Sequence, residues 1–198
     1  MTARQAATRT APLPRRAPPR PGLQRRQVLV LAGAALVGGP ALAMDRQLRF
    51  ATLTQAEQEL QRLAQAKALD SQTEFSWAQT LVHCAQSIEF SLSGFPEPKS
   101  ALFQQTVGAA AIHFFAWRGR MQHGLGEPIP GAATLQAEQD PVAALARLQK
   151  AMQAFRSHNG PLQPHFAYGA LDKPLYEQAH AMHLAQHLSA FDVAQGPG

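Results

Sequence analysis

Helical periodicity constrains the fold of this chain more than any other feature of its sequence. Between residues 74 and 92, Trp77, Leu81, Cys84 and Ile88 follow one another at helical spacing. On a helix that turns about 100° per residue they fall within about 60° of one another and form one apolar stripe. Such a stripe buries one side of a helix against a core. The chain is therefore expected to be built from amphipathic helices.

Four more segments show helical periodicity, and no segment shows the pattern of a convincing strand. Three of their starts carry familiar signals: a capping box, in which threonine and glutamate bond each other's backbone, or an aspartate that can act as the N-cap. The expected bounds are a start at the capping box Thr54–Glu57, a span of about residues 99–122, a start at Asp140 and Pro141, and a span from Asp172 to about Phe191.

Two long connections separate these helices. One has 18 residues, "HGLGEPIPGAATLQAEQD", and the other reads "HNGPLQPHFAYGALDK". Connections of this length are uncommon in compact domains and usually serve a function or cross between distant helices. The pattern predicts an all-α fold, a helical bundle with long crossover connections.

Residues 1–43 have the order of a secretory signal peptide. An arginine pair, Arg25-Arg26, precedes an apolar run from Val28 to Val37, and the small-residue motif that ends at Ala43 offers a cleavage site. The pair is typical of a twin-arginine leader, although Gln24 stands where Ser or Thr is usual. The run is about half the roughly 20 residues that span a bilayer, so it predicts no stable membrane anchor.

This segment allows two interpretations of where the mature protein begins. If it is cleaved near Ala43, residues 44–198 form a periplasmic or secreted domain. If Met44 is the true start, the protein is cytoplasmic and the leader is not part of it.

The positive charge of the chain belongs to the leader. The formal charge is +5, but seven of the 18 Lys and Arg residues precede residue 44, where no acidic residue occurs. The rest of the chain has 11 basic and 13 acidic residues. A nearly neutral domain of this kind argues against nucleic-acid binding.

The single cysteine, Cys84, permits no disulfide within the chain and lies in an apolar helical pattern. A buried structural thiol is the favoured interpretation, with a catalytic thiol as the alternative.

Three of the eight histidines lie on the last helix, at 180, 183 and 187. His183 and His187, at i and i+4, can present two imidazole nitrogens to one cation. A third ligand has to come from another helix, and His83 is the candidate, provided that its helix is buried on two faces. The alternative is that these are half-buried histidines with backbone or water partners. Because position 184 is leucine, protease chemistry of the HExxH type is not supported.

Other polar residues leave their roles open. Glu89 is either a base near His83 or a solvated carboxylate, and His165 either bonds its own loop or reaches a cavity. The role of His180 is likewise open, and His113 and His123 are expected on the surface.

The stretches "FSWAQTLVHCAQSIEFSLSGFP", "PIPGA" and "HFAYGALDKPLYEQAHAMHLAQHLSAF" resemble the DinB/YfiT-like superfamily of metal-dependent four-helix bundles. The likeness is greatest to a branch catalogued as a domain of unknown function whose members often carry twin-arginine leaders. It covers about Arg46 to Phe191, and its most specific parts are W-x5-H at Trp77 and the terminal H-x3-H at His183.

The resemblance implies a DinB-like four-helix bundle with an additional helix. It also implies a divalent metal, nickel, zinc or iron, on His83, His183 and His187. Characterised members transfer low-molecular-weight thiols such as bacillithiol or mycothiol, or isomerise substrates with a thiol cofactor. An exported protein would meet few such thiols.

Two hypotheses follow. In the first, the chain is a metal-dependent enzyme, with thiol-transferase-like chemistry, that acts on an unidentified small molecule. In the second, it is a non-catalytic helical bundle that binds a small apolar ligand or a partner protein. A homodimer is a possible assembly under either hypothesis.

Overall fold

The computed structural model describes residues 46–137 and 140–194. Residues 1–43, which the sequence predicts to be a cleaved leader, lie outside the described residues. The described part is mostly helical, and none of its helices has the length and apolarity that a bilayer span requires.

The helices follow the expected order. Their bounds are α1 Leu53–Ala64, α2 Trp77–Ser93, α3 Ala101–Phe103, α4 Ala109–Arg118, α5 Pro141–Ser157 and α6 Lys173–Leu188, and a π-helical segment, Gln104–Gly108, joins α3 to α4.

The N-caps of α5 and α6 confirm the sequence prediction. The carboxylate of Asp140 accepts hydrogen bonds from the backbone N–H groups of Val142 and Ala143, and that of Asp172 accepts one from Leu175. In both helices the next residues include a proline at the first or second helical position, where its missing N–H costs no helical bond.

The capping box expected at Thr54 is wrong. α1 begins two residues earlier, because Thr52 adopts an extended backbone and its hydroxyl accepts a hydrogen bond from the N–H of Gln55. The side chain of Gln55 in turn accepts one from the N–H of Ala51. This earlier pairing places Leu53 in the first turn, where it is fully buried.

A short antiparallel sheet corrects the expectation of a chain without strands. β1, Leu69–Ser71, pairs with β2, Phe191–Val193, so that Ser71 lies opposite Phe191. α6 therefore ends at Leu188 rather than at Phe191. Phe191 is 2 % exposed and packs edge-on against Trp77, with ring centres 5.2 Å apart. Strands of three residues are too short to show an alternating pattern in the sequence.

The main core lies where α2 packs against α5 and α1 packs against α6. α2 is buried on more than one face: Leu81 and Ile88 of the predicted stripe are buried, and so are Val82, His83 and Gln86. The sequence analysis required burial on two faces if His83 was to face the interior, and α2 meets that requirement.

The connection before α6 is clamped onto the π-helical segment. His165 and Gly169 exchange two backbone hydrogen bonds in a tight turn. The side-chain amide of Gln104 donates to the carbonyl oxygens of His165 and Phe166. The Cα of Gly108 lies so close to Ala167 that an added Cβ would overlap the Ala167 carbonyl oxygen. These contacts fix the position of the His165 ring.

Candidate metal centre

The three histidines predicted as metal ligands meet between α2 and α6. One ring nitrogen of each of His83, His183 and His187 lies within 4.8 Å of the other two. The Nε2 atoms of His83 and His183 are 3.2 Å apart. Three imidazoles at this separation could hold one metal ion.

Burial leaves several of these nitrogens without partners. His83 is 2 % exposed and His187 is fully buried, whereas His183 is partly exposed and lines a cavity. Nδ1 of His83 and both ring nitrogens of His187 are buried with no hydrogen-bond partner. A buried polar atom without a partner costs about 1–3 kcal/mol. A cation can bind one nitrogen of each ring and would give His187 the partner that it lacks, so the donor set fits a metal.

The environment keeps the three imidazoles neutral. Burial, with a smaller contribution from His123, lowers the pKa of His83 to about 4. Burial and the neighbouring histidines also hold the pKa values of His183 and His187 well below the ordinary value of 6.5. The neutral ring is the form that binds a metal, so all three are ready to do so near neutral pH.

A cavity of about 290 Å³ opens beside the triad. His83 and His183 line it together with Met121 and Ile129 from the connection between α4 and α5, and with Phe166 and Tyr168 from the connection before α6. Lys99 and Glu127 bring charge to its lining. A mostly apolar cavity with a few polar groups is the usual form of a small-molecule site.

His165 and His180 also line this cavity. Nδ1 of His165 accepts hydrogen bonds from the N–H groups of Ala167 and Tyr168, so the proton of the neutral ring resides on Nε2. The ring stacks on Tyr168 with centres 4.3 Å apart. His180 is 2 % exposed, stacks on Tyr176, and has a buried Nε2 without a partner. Burial lowers the pKa of each of the two histidines to about 3.

His123 is not the surface residue that the sequence suggested. Its ring centre lies 5.1 Å from the rings of both His183 and His187, and its side chain lines the cavity. Sequence reasoning missed it because it lies on an irregular connection, where no periodicity indicates which way a side chain points. His113, on α4, is exposed as expected.

A family comparison places the whole of this site within one domain. The sequence model of a family described as "Protein of unknown function (DUF1569)" matches residues 43–193. The chain belongs to the DUF1569 family. Comparison with the curated proteins and with the solved structures gave no match.

In this DUF1569 chain, Glu89 and Cys84 lie outside the cavity lining. Glu89 forms a two-pronged ion pair with Arg147 of α5, with donor–acceptor distances of 2.7 and 2.9 Å. Cys84 is 1 % exposed, and burial raises the pKa of its thiol. The contacts fit a structural ion pair and a structural thiol rather than a base and a nucleophile.

The candidate metal ligands of the DUF1569 chain are all neutral imidazoles. A divalent ion held by three neutral imidazoles keeps its full charge, since no carboxylate belongs to the described triad. Such an ion favours a further ligand that is anionic or polarisable. With such an ion in place, the arrangement could bind and polarise a small molecule in the cavity.

Proposed function

We propose that this chain is a metal-dependent enzyme in which His83, His183 and His187 hold a divalent cation, nickel, zinc or iron. One observation carries the proposal: three neutral imidazoles from two helices converge with buried nitrogens that have no other partner. The adjoining cavity supports a small molecule as the substrate.

The cation would supply Lewis acidity, which includes lowering the pKa of a bound thiol or water. The chain's own residues bind and orient the substrate. The Nε2–H of His165 is a fixed donor, because the backbone holds its Nδ1, and it suits an acceptor oxygen of the substrate. The apolar side chains Met121, Ile129 and Phe166 would exclude water from the reacting groups.

The finer assignments belong to the same proposal. Packing of α2 on α5 and of α1 on α6 supports a DinB-like four-helix bundle, with α4 as the additional helix. Thiol transfer rests on the resemblance alone. Export by the twin-arginine route rests on the leader sequence alone, and it is compatible with a cofactor acquired before export.

A second candidate is a non-catalytic bundle that binds a small apolar ligand in the same cavity. The observation in its favour is the lining itself, whose surface is mostly apolar and includes Met121, Ile129 and Phe166. In that case the histidines form hydrogen bonds with one another and with water, and no metal contributes to stability.

Thermal unfolding of the full chain with and without a strong chelator separates the two candidates. A ligand that binds only the native state stabilises it by about 2.7 kcal/mol at a hundredfold excess over its Kd. We expect the chelator to lower the Tm of the wild type by several degrees and to leave the Tm of His187→Ala unchanged. His113→Ala, at an exposed histidine of α4, is the matched control and should respond like the wild type. Equal melting of the wild type in both conditions would favour the non-catalytic bundle.

A further inference from the structure

The position of His123 relative to the triad has a consequence for the metal site. His123 comes from the connection after α4, not from either helix that bears the triad. Its ring centre is 5.1 Å from that of His183 and 5.1 Å from that of His187. Within the triad the corresponding distances are 5.1, 4.6 and 4.7 Å. His123 is therefore about as close to His183 and His187 as the triad members are to one another.

These separations match what shared coordination requires. A metal–nitrogen bond of about 2 Å places the centre of an imidazole about 3 Å from the ion, so two tetrahedral ligands have ring centres about 5 Å apart. Five of the six pairs among the four rings satisfy this distance. The sixth pair, His83 and His123, makes no such ring contact in the described part of the chain, so a shared ion would hold these two rings at a wider angle than the tetrahedral one.

The hydrogen bonds of His123 leave one nitrogen available. Nδ1 lies 2.9 Å from the carbonyl oxygen of Gly124, which can only accept, so Nδ1 carries the proton. Nε2 then has a free lone pair. A backbone carbonyl that holds one ring nitrogen while the other binds the ion is the usual arrangement of a metal-ligating histidine.

The backbone of His123 is also held in place by α6. The side-chain amide of Gln186 donates a hydrogen bond of 2.6 Å to the carbonyl oxygen of His123. Gln186 adjoins His187 in the sequence and lies one turn after His183, so the helix with two of the triad ligands also anchors the loop that carries His123. This anchoring keeps the ring of His123 beside the triad.

We propose that His123 is a fourth metal ligand, supplied by the connection between α4 and α5 and bound through Nε2. The inference rests on the proposed function, because it requires that the triad holds a metal. It changes the site from three helix-borne ligands to four, one of which belongs to the connection that also walls the cavity. A substrate that reached the ion from the cavity would then either become its fifth ligand or displace His123.

Proton–nitrogen correlation spectra of the full chain, isotope-labelled at histidine and loaded with zinc, test the inference directly. Coordinated imidazole nitrogens shift away from both the protonated and the free positions. We expect four histidines with a metal-shifted nitrogen, one of which disappears in His123→Ala. Three shifted histidines that do not include His123 would overturn the fourth ligand and leave the triad intact. No shifted histidine would overturn both the inference and the proposed function.

Zinc affinity gives a second, independent readout. Competition with a chelating dye should show that His123→Ala raises the Kd for zinc by about tenfold or more. The control His113→Ala should keep the wild-type Kd. An unchanged Kd in a folded His123→Ala protein would contradict the proposal, and the spectra of the wild type decide the matter if that variant does not fold.

Discussion

At the residue scale, the buried histidines of this protein are arranged to stay uncharged. His83, His165 and His180 are each at most 9 % exposed, and no carboxylate forms a hydrogen bond or an ion pair with them in the described part of the chain. Burial, with smaller contributions from neighbouring histidines, then disfavours the protonated ring and lowers its pKa. Neutral rings packed side by side avoid the repulsion that charged rings would suffer.

This arrangement makes the metal-free protein sensitive to acid. The pKa of His83 is lowered to about 4 by burial, and those of His165 and His180 to about 3. An unfolded histidine titrates near pH 6.5. Between these values the unfolded chain binds more protons than the native one, so the free energy of unfolding falls as the pH falls from about 6.5 towards 4, by about 1.4 kcal/mol per pH unit for each histidine.

Urea denaturation of the chelator-treated protein near pH 7 and near pH 5 measures this dependence. We expect clearly lower stability near pH 5, and a smaller loss for His180→Phe, which removes one buried imidazole from between Phe155 and Tyr176. His113→Phe, at an exposed position, should keep the wild-type dependence. Equal stability at both pH values would show that the imidazoles are not buried as neutral groups.

Residue spacing predicted part of the site. The i, i+4 relation brought His183 and His187 together on one side of α6, and this follows from helix geometry. The prediction of His83 was conditional. Its side chain lies away from the Trp77–Ile88 stripe, so it reaches the interior only if α2 is buried on two faces. The neighbours that decide this come from other elements, which no local pattern reveals.

At the element scale, the N-caps of α5 and α6 were predicted at the right residues. Asp140 and Asp172 cap their helices because an aspartate carboxylate can accept from free backbone N–H groups wherever the chain turns into a helix. Two overlapping signals competed at α1, and the pairing of Thr52 with Gln55 prevailed over that of Thr54 with Glu57. The end of α6 was misplaced because Phe191 continues the apolar pattern while it belongs to β2.

The π-helical segment is the element on which the position of His165 depends. Gly108 contacts the turn that contains His165, and an added Cβ would overlap the carbonyl oxygen of Ala167. Gly108→Ala should therefore displace the turn and lower the free energy of unfolding by about 1–3 kcal/mol, because overpacking forces the backbone to shift. Chemical denaturation measures this loss.

Ala110→Ser is the matched control, since Ala110 is exposed two residues further along the same helical stretch. It should change stability by no more than about 0.5 kcal/mol. If Gly108→Ala were as stable as the control, the contact between Gly108 and the turn would not position His165.

At the scale of the whole molecule, the helices were predictable and the connections were not. Periodicity follows from one face of each helix meeting the core, so it reports that a helix exists and which side is buried. The connections that carry His123 and His165 have no repeating pattern, and their course is set by contacts such as those of Gln104 and Gln186. The cavity and the neighbours of the triad therefore became visible only in the folded chain.

The central claim is that the fold of this DUF1569 protein assembles a metal site from separate helices. Elemental analysis of the full chain, purified without a chelator or a histidine tag, tests it most directly beside the double variant His183→Ala/His187→Ala. We expect close to one nickel, zinc or iron ion per wild-type chain and none in the variant. Wild-type protein that remains free of metal after each cation is added back, or a variant that keeps the metal, would contradict the claim.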